Sequence, residues 1–109
     1  MEDVQRCREA VQVLIKDHPL ALDCEGDLSS RKGGLSLVQI ATKSGRCFIF
    51  DVQKGGGDRL FVEGGLRRVL EDVSVLKVGH DLRADAWALF AQHGVFLNHI
   101  FDTQGAPYP

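Results

Sequence analysis

Asp23 and Glu25 stand one residue apart in Leu20–Glu25, a run whose Leu22 and Cys24 read as the buried side of a strand. Acidic residues are depleted in strands, so two of them here need a reason. Strand side chains alternate faces, which puts both carboxylates on one side, roughly 6–7 Å apart along the chain. Oxygen donors at that spacing on a rigid element suit a hard divalent cation such as Mg²⁺. Alone, the pattern is weak: chance gives roughly 0.5 Asp-x-Glu pairs in a chain with ten Asp and five Glu. A strand that ends early and leaves both acids solvated is the bland alternative.

Asp81 and Asp85 form the second acidic candidate, in a helix read over Asp81–His93. At about 100° per residue its apolar face centres on Leu82, Leu89 and His93, with Ala86 and Phe90 on the inner side. Asp85 flanks that face, whereas Asp81 lies further round. Asp81 also falls at the helix start, where an acid caps free N–H groups. Asp85 is therefore the acid better placed to look back at a sheet. His80 closes the apolar run Val75–Gly79, at the strand end where open sheets present ligand-contacting groups. A packed, hydrogen-bonded histidine is the competing reading. His18, His93 and His99 show no ligand spacing and read as structural or solvent-facing. Trp87 points away from the apolar stripe and reads as covering another element.

The elements that must hold these residues follow from periodicity and breakers. Asp3–Asp17 reads as a helix with Val4, Cys7, Val11, Leu14 and Ile15 on one face, ended by His18-Pro19. Strands are expected at Leu20–Glu25, Leu35–Thr42 and Arg46–Val52, as an antiparallel meander. Gly55-Gly56-Gly57 lacks a phosphate-loop pattern and reads as a flexible connector. A short helix over Gly64–Asp72 and strands at Val75–Gly79 and Ile100–Asp102 complete the order. Helices alternating with strands in the second half imply parallel pairing. Arg31-Lys32 lies in the polar loop after the first strand. Contact with a phosphate backbone is conceivable there, but a solvated loop tip is the plainer reading.

The 109 residues have ordinary globular composition, 44% hydrophobic and 26% charged, and a net charge of −2. That balance argues against gripping nucleic acid through bulk charge, though not against meeting phosphate through metal ions. No stretch has the length of a membrane span, and the acidic, amphipathic start is unlike a signal peptide, so an intracellular protein is expected. Cys7, Cys24 and Cys47 are odd in number and widely spaced, which suits buried thiols in a reducing compartment.

Taken together, ALDCEG, LSLVQIAT, CFIFDV, VLKVGHDLRADAWAL and IFDTQ resemble, in order and spacing, the DEDD-type 3′–5′ exonuclease domain. Within it they resemble the ribonuclease D and Egalitarian-like branch. The resemblance runs from Pro19 to Gln104. It implies an α/β, RNase H-like mixed sheet, an antiparallel three-strand meander followed by parallel strands, flanked by helices. It matches the first motif to Asp23 and Glu25 and the second to Asp85 rather than Asp81. The third motif, Tyr or His followed four residues later by Asp, has no match; Tyr108 has no acid after it. Asp102 matches a family position that is not one of the four acids.

The chemistry implied is two-metal-ion phosphodiester hydrolysis with Mg²⁺ or Mn²⁺. By resemblance, Asp23 bridges both ions, Glu25 binds the nucleophile-side ion, and Asp85 holds the leaving-side ion partly through water. Two readings stay open. In one, residues 1–109 are a single partial exonuclease domain, its C-terminal part missing, acting on single-stranded nucleic acid, RNA favoured, and weak or inactive as it stands. In the other, they are a noncatalytic relative that binds RNA or a protein partner. A sheet face left partly uncovered is expected to expose apolar surface around Val38, Ile40 and Ile49 or their neighbours.

Overall fold

A computed structural model describes residues 1–104; Tyr108 and the terminal GAPYP run lie outside the described residues. The elements are α1 (Val4–Lys16), β1 (Leu20–Gly26), β2 (Leu35–Ala41), β3 (Cys47–Asp51), α2 (Asp58–Val62), α3 (Leu66–Glu71), β4 (Lys77–Gly79), α4 (Arg83–His93) and β5 (Ile100–Asp102). The sheet runs β3-β2-β1-β4-β5. β1–β2 and β2–β3 are antiparallel, while β1–β4 and β4–β5 are parallel. This is the mixed sheet expected from the strand and helix order.

One sheet face and the helices share a continuous core. α1 contributes Cys7, Val11 and Leu14, because i, i+4 and i+7 spacing keeps them on one stripe. Against them lie Leu22 and Cys24 of β1, Val38 and Ile40 of β2, Phe50 of β3, and Leu66, Val69 and Leu70 of α3. Each fully buried Leu or Phe contributes about 1.5–3 kcal/mol relative to exposure.

Several expectations need correction. Val38 and Ile40 are buried, at 0% and 1% exposure, and only Ile49 shows, at 45%. Strand parity explains it: Val38 pairs with Cys24 and Ile40 with Leu22, on the side the helices cover. Phe90 is not core but 51% exposed. The buried side of α4 runs through Asp85, Ala88 and Leu89, so it is rotated toward Asp85. The glycine run is a packed turn into an unanticipated helix, α2. A Cβ on Gly55 would sit 2.7 Å from Leu60 Cδ1 and 2.9 Å from the Asp51 carbonyl, so the close approach requires glycine.

Candidate active site

β1 sorts its residues by alternation. Cys24 faces the core, while Asp23 and Glu25 are exposed on the other side. The strand therefore persists through both acids rather than ending before them. Gly26 follows at once, at a register shift, with φ +124. A Cβ there would lie 2.3 Å from the Gly34 carbonyl oxygen, so only glycine lets the chain leave the sheet directly after Glu25.

Asp85 comes from the first turn of α4 and is 6% exposed. The pairing of β1 with β4 ends at Ala21, and further along β1 the Cys24 N–H donates to Asp85 Oδ2 at 2.9 Å. The Asp85 carboxylate is thus fixed to the residue between Asp23 and Glu25. Burial pushes the Asp85 carboxyl above the ordinary carboxylate range; the Cys24 N–H opposes this, and the negative charge of Asp23 adds to it. Burial, then the Asp85 charge, push the Cys24 thiol strongly up, so it stays a neutral packing group.

Asp81 does not cap the helix. Its carboxylate pairs with Arg83 Nε at 3.1 Å on the surface. The N–H groups of Asp81 and Leu82 donate instead to Asp102, at 2.8 and 2.7 Å. The cap comes from the neighbouring strand, which only the tertiary fold reveals. His80 is exposed, with Nδ1 3.3 Å from Thr103 Oγ1. It shares with Asp23 a small groove that Gln39, Cys47 and Thr103 also line. His93, expected to be structural or solvent-facing, is a buried packing residue: Nδ1 meets Asp58 Oδ1 at 2.6 Å and the ring packs on Phe61.

A second groove, about 650 Å³ and mostly apolar, opens where the loop after β1 meets α4. Gly26, Asp27, Leu28 and Ser29 form one side and Ala84 and Trp87 the other. Trp87 stays 43% exposed two residues beyond Asp85. The sequence signal for it was a tryptophan off the apolar stripe, which pointed at a cover rather than a groove.

The residues fit a divalent cation in donor type and charge. All three acids offer oxygen, and Asp23 and Asp85 lie close enough for one charge to raise the other's pKa, a repulsion a cation relieves. Among the described residues, no group of three or more His, Cys, Asp or Glu is gathered tightly enough to enclose an ion.

A family model for 3′–5′ exonucleases matches residues 1–108. The chain belongs to the 3′–5′ exonuclease family. It is 40% identical over 95 residues to piRNA biogenesis protein EXD1 of Xenopus laevis, a match spanning 87% of this chain and 21% of that protein. Among solved structures it resembles Trypanosoma brucei RNase D in complex with RNA U12, with TM-score 0.80 and 28% identity, over 94% of this chain and 36% of that one. It also resembles the EXD2 exonuclease domain soaked in Mn and Mg, with TM-score 0.74 and 29% identity, over 95% and 54% of the two chains. The fold is RNase H-like, and the branch is that of ribonuclease D. The chain spans about a fifth of the EXD1 relative.

Proposed function

We propose that these residues supply the first two acidic motifs of a 3′–5′ exonuclease that hydrolyses single-stranded nucleic acid, RNA favoured, using Mg²⁺ or Mn²⁺. The observation that carries this reading is the tie between Asp85 and the Cys24 N–H, which sets a buried carboxylate beside Asp23 and Glu25. RNA is favoured because the trypanosome RNase D structure was solved with RNA and the EXD1 relative is named for piRNA biogenesis. Mg²⁺ or Mn²⁺ is favoured by the donor set and by the ions soaked into the EXD2 domain.

Bound ions would polarise the scissile phosphate and lower the pKa of the attacking water. Asp23 and Glu25 would hold them from β1 and Asp85 from α4. The Cys24 N–H fixes the Asp85 rotamer before any ion arrives, so little ordering is left to binding. The exposed ring of Trp87, in the second groove, offers a face on which a base can stack, worth about 1–3 kcal/mol. His80, sharing a groove with Asp23, would contact the strand.

The second reading is a noncatalytic module that binds RNA or a protein partner, through the groove of Trp87 rather than through a bound ion. One experiment separates the two. Single-stranded RNA labelled at its 3′ or its 5′ end is incubated with the chain and with Asp23→Ala, in Mg²⁺ and in Mn²⁺. The nuclease reading expects metal-dependent shortening from the 3′ end that Asp23→Ala loses by at least tenfold. RNA retained but never shortened, in either metal, is what a noncatalytic module and a partial domain inactive as it stands both give, and Mn²⁺ binding that Asp23→Ala abolishes then assigns the chain to the nuclease reading.

A further inference from the structure

The groove at Trp87 has two walls of different origin. Gly26, Asp27, Leu28 and Ser29 belong to the loop between β1 and β2, while Ala84 and Trp87 belong to α4. Residues 27–34 form no helix or strand, so no ladder fixes the distance between the walls. One side chain spans it. Gln92 Nε2 donates to the Asp27 carbonyl at 3.0 Å and to the Ser30 carbonyl at 2.8 Å. Its Oε1 accepts from the Leu35 N–H at 2.6 Å. Both ends of the amide are thus spent on the backbone that leaves β1 and enters β2.

Gln92 follows Asp85 by seven positions, which returns the helix to within about 20° of the same direction. Both residues face β1 and its loop. Asp85 ties α4 to the strand at Cys24, and Gln92 ties it to the loop about two turns further on. Gln53 adds a contact to the Gly33 carbonyl at 3.2 Å, on the loop's far side. Arg31 and Lys32, both exposed, ride on the loop so held.

We propose that Gln92 is a positioning residue for the nucleic-acid strand: by clamping loop 27–34 to α4 it sets the width of the groove in which Trp87 meets a base. The inference rests on the nuclease reading and deepens it. A strand entering a preset groove pays no cost for ordering the loop, which also carries the exposed Arg31 and Lys32.

Trp87 is the only tryptophan, so its fluorescence reports the groove directly. The test titrates a single-stranded oligouridylate into the chain, into Gln92→Met and into Gln92→Glu. The first variant keeps the reach and loses every hydrogen bond. The second keeps an acceptor for the Leu35 N–H and loses both donors. The expected result is a Kd about tenfold weaker in both variants, with Mn²⁺ affinity unchanged. Amide exchange should quicken in residues 28–33 while the protection of β1 and β2 holds. Variants that bind as tightly as the wild type overturn the proposal, as does unchanged exchange in the loop. Lost protection throughout β1–β4 also overturns it, because it assigns Gln92 to the fold as a whole. A wild-type chain that binds no RNA overturns the nuclease reading and this inference together. Wild-type binding matched by the variants overturns the inference alone.

Discussion

Lys77 is fully buried in β4, with Nζ donating to the carbonyls of Asp72 and Val75 at 2.8 and 2.7 Å. Burial pulls its ammonium from 10.5 down to about 8. Between those values the unfolded chain carries a proton that the folded chain does not, so stability rises with pH. The buried thiols act in the opposite sense. Burial pushes Cys7 from 9.0 up to about 11 and Cys24 higher still, so above about pH 9 the unfolded chain sheds protons that the fold keeps. The thiols already offset part of the gain by pH 9, so the expected stability climbs by about 0.5 kcal/mol, roughly 2–3 °C in Tm, from pH 7.5 to 9 and falls beyond. Lys77→Met should erase the climb and leave the fall. Calorimetry across that range checks both limbs. A wild-type curve that is flat or falling from 7.5 to 9 contradicts the assignment.

At the element scale, the entry into α4 decides where Asp85 stands. Asp81 turns the chain with φ +52, and the Asp81 and Leu82 N–H groups both land on the Asp102 carboxylate, as does the Gln104 N–H at 2.9 Å. Asp102→Ala should therefore cost about 1–2 kcal/mol, as the loss of a helix cap does, and lower Tm by roughly 5–10 °C. Asp81→Asn, which keeps a residue that tolerates the positive φ, removes only the charge of an exposed pair with Arg83 and should shift Tm by about 2 °C or less. Thermal melts of the two variants discriminate between the caps; equal losses contradict this account. The sequence could not announce the cap, because the side chain that supplies it lies 20 residues beyond Leu82. Gln92 is illegible for the same reason: its partners are backbone groups of a distant loop, and no residue pattern encodes a carbonyl. Phe90 fails differently. A hydropathy wheel counts only apolar residues, so it left Asp85 at the flank of the apolar face, put Phe90 inside and gave no weight to Gln92, whose partners lie across the fold.

Over the whole molecule, the legible part was the sheet. Period-two alternation in Leu20–Glu25 carries both strand identity and facing, and it put Asp23 and Glu25 on the exposed side; in Leu35–Ala41 the pattern marks the strand but not which face the helices cover. Breakers and helical spacing gave the order of elements, hence the meander and the parallel crossovers. What stayed hidden was assembly: α2 starting directly after a glycine run, and a groove made of two segments far apart in sequence. Among the described residues no helix is long and apolar enough to cross a membrane. The proposal is that three oxygen donors, Asp23 and Glu25 from β1 and Asp85 from α4, hold the divalent ions. It is tested most directly by titrating Mn²⁺ into the chain and following free Mn²⁺ by electron paramagnetic resonance, beside Asp23→Ala, Glu25→Ala and Asp85→Asn. Asp85→Asn keeps an acceptor for the Cys24 N–H, so its fold should hold while its charge is gone. The account predicts saturable binding in the wild type and a loss of at least about tenfold, near 1.4 kcal/mol, in each variant. Binding that all three variants leave intact would contradict it and move the metal site elsewhere on the molecule.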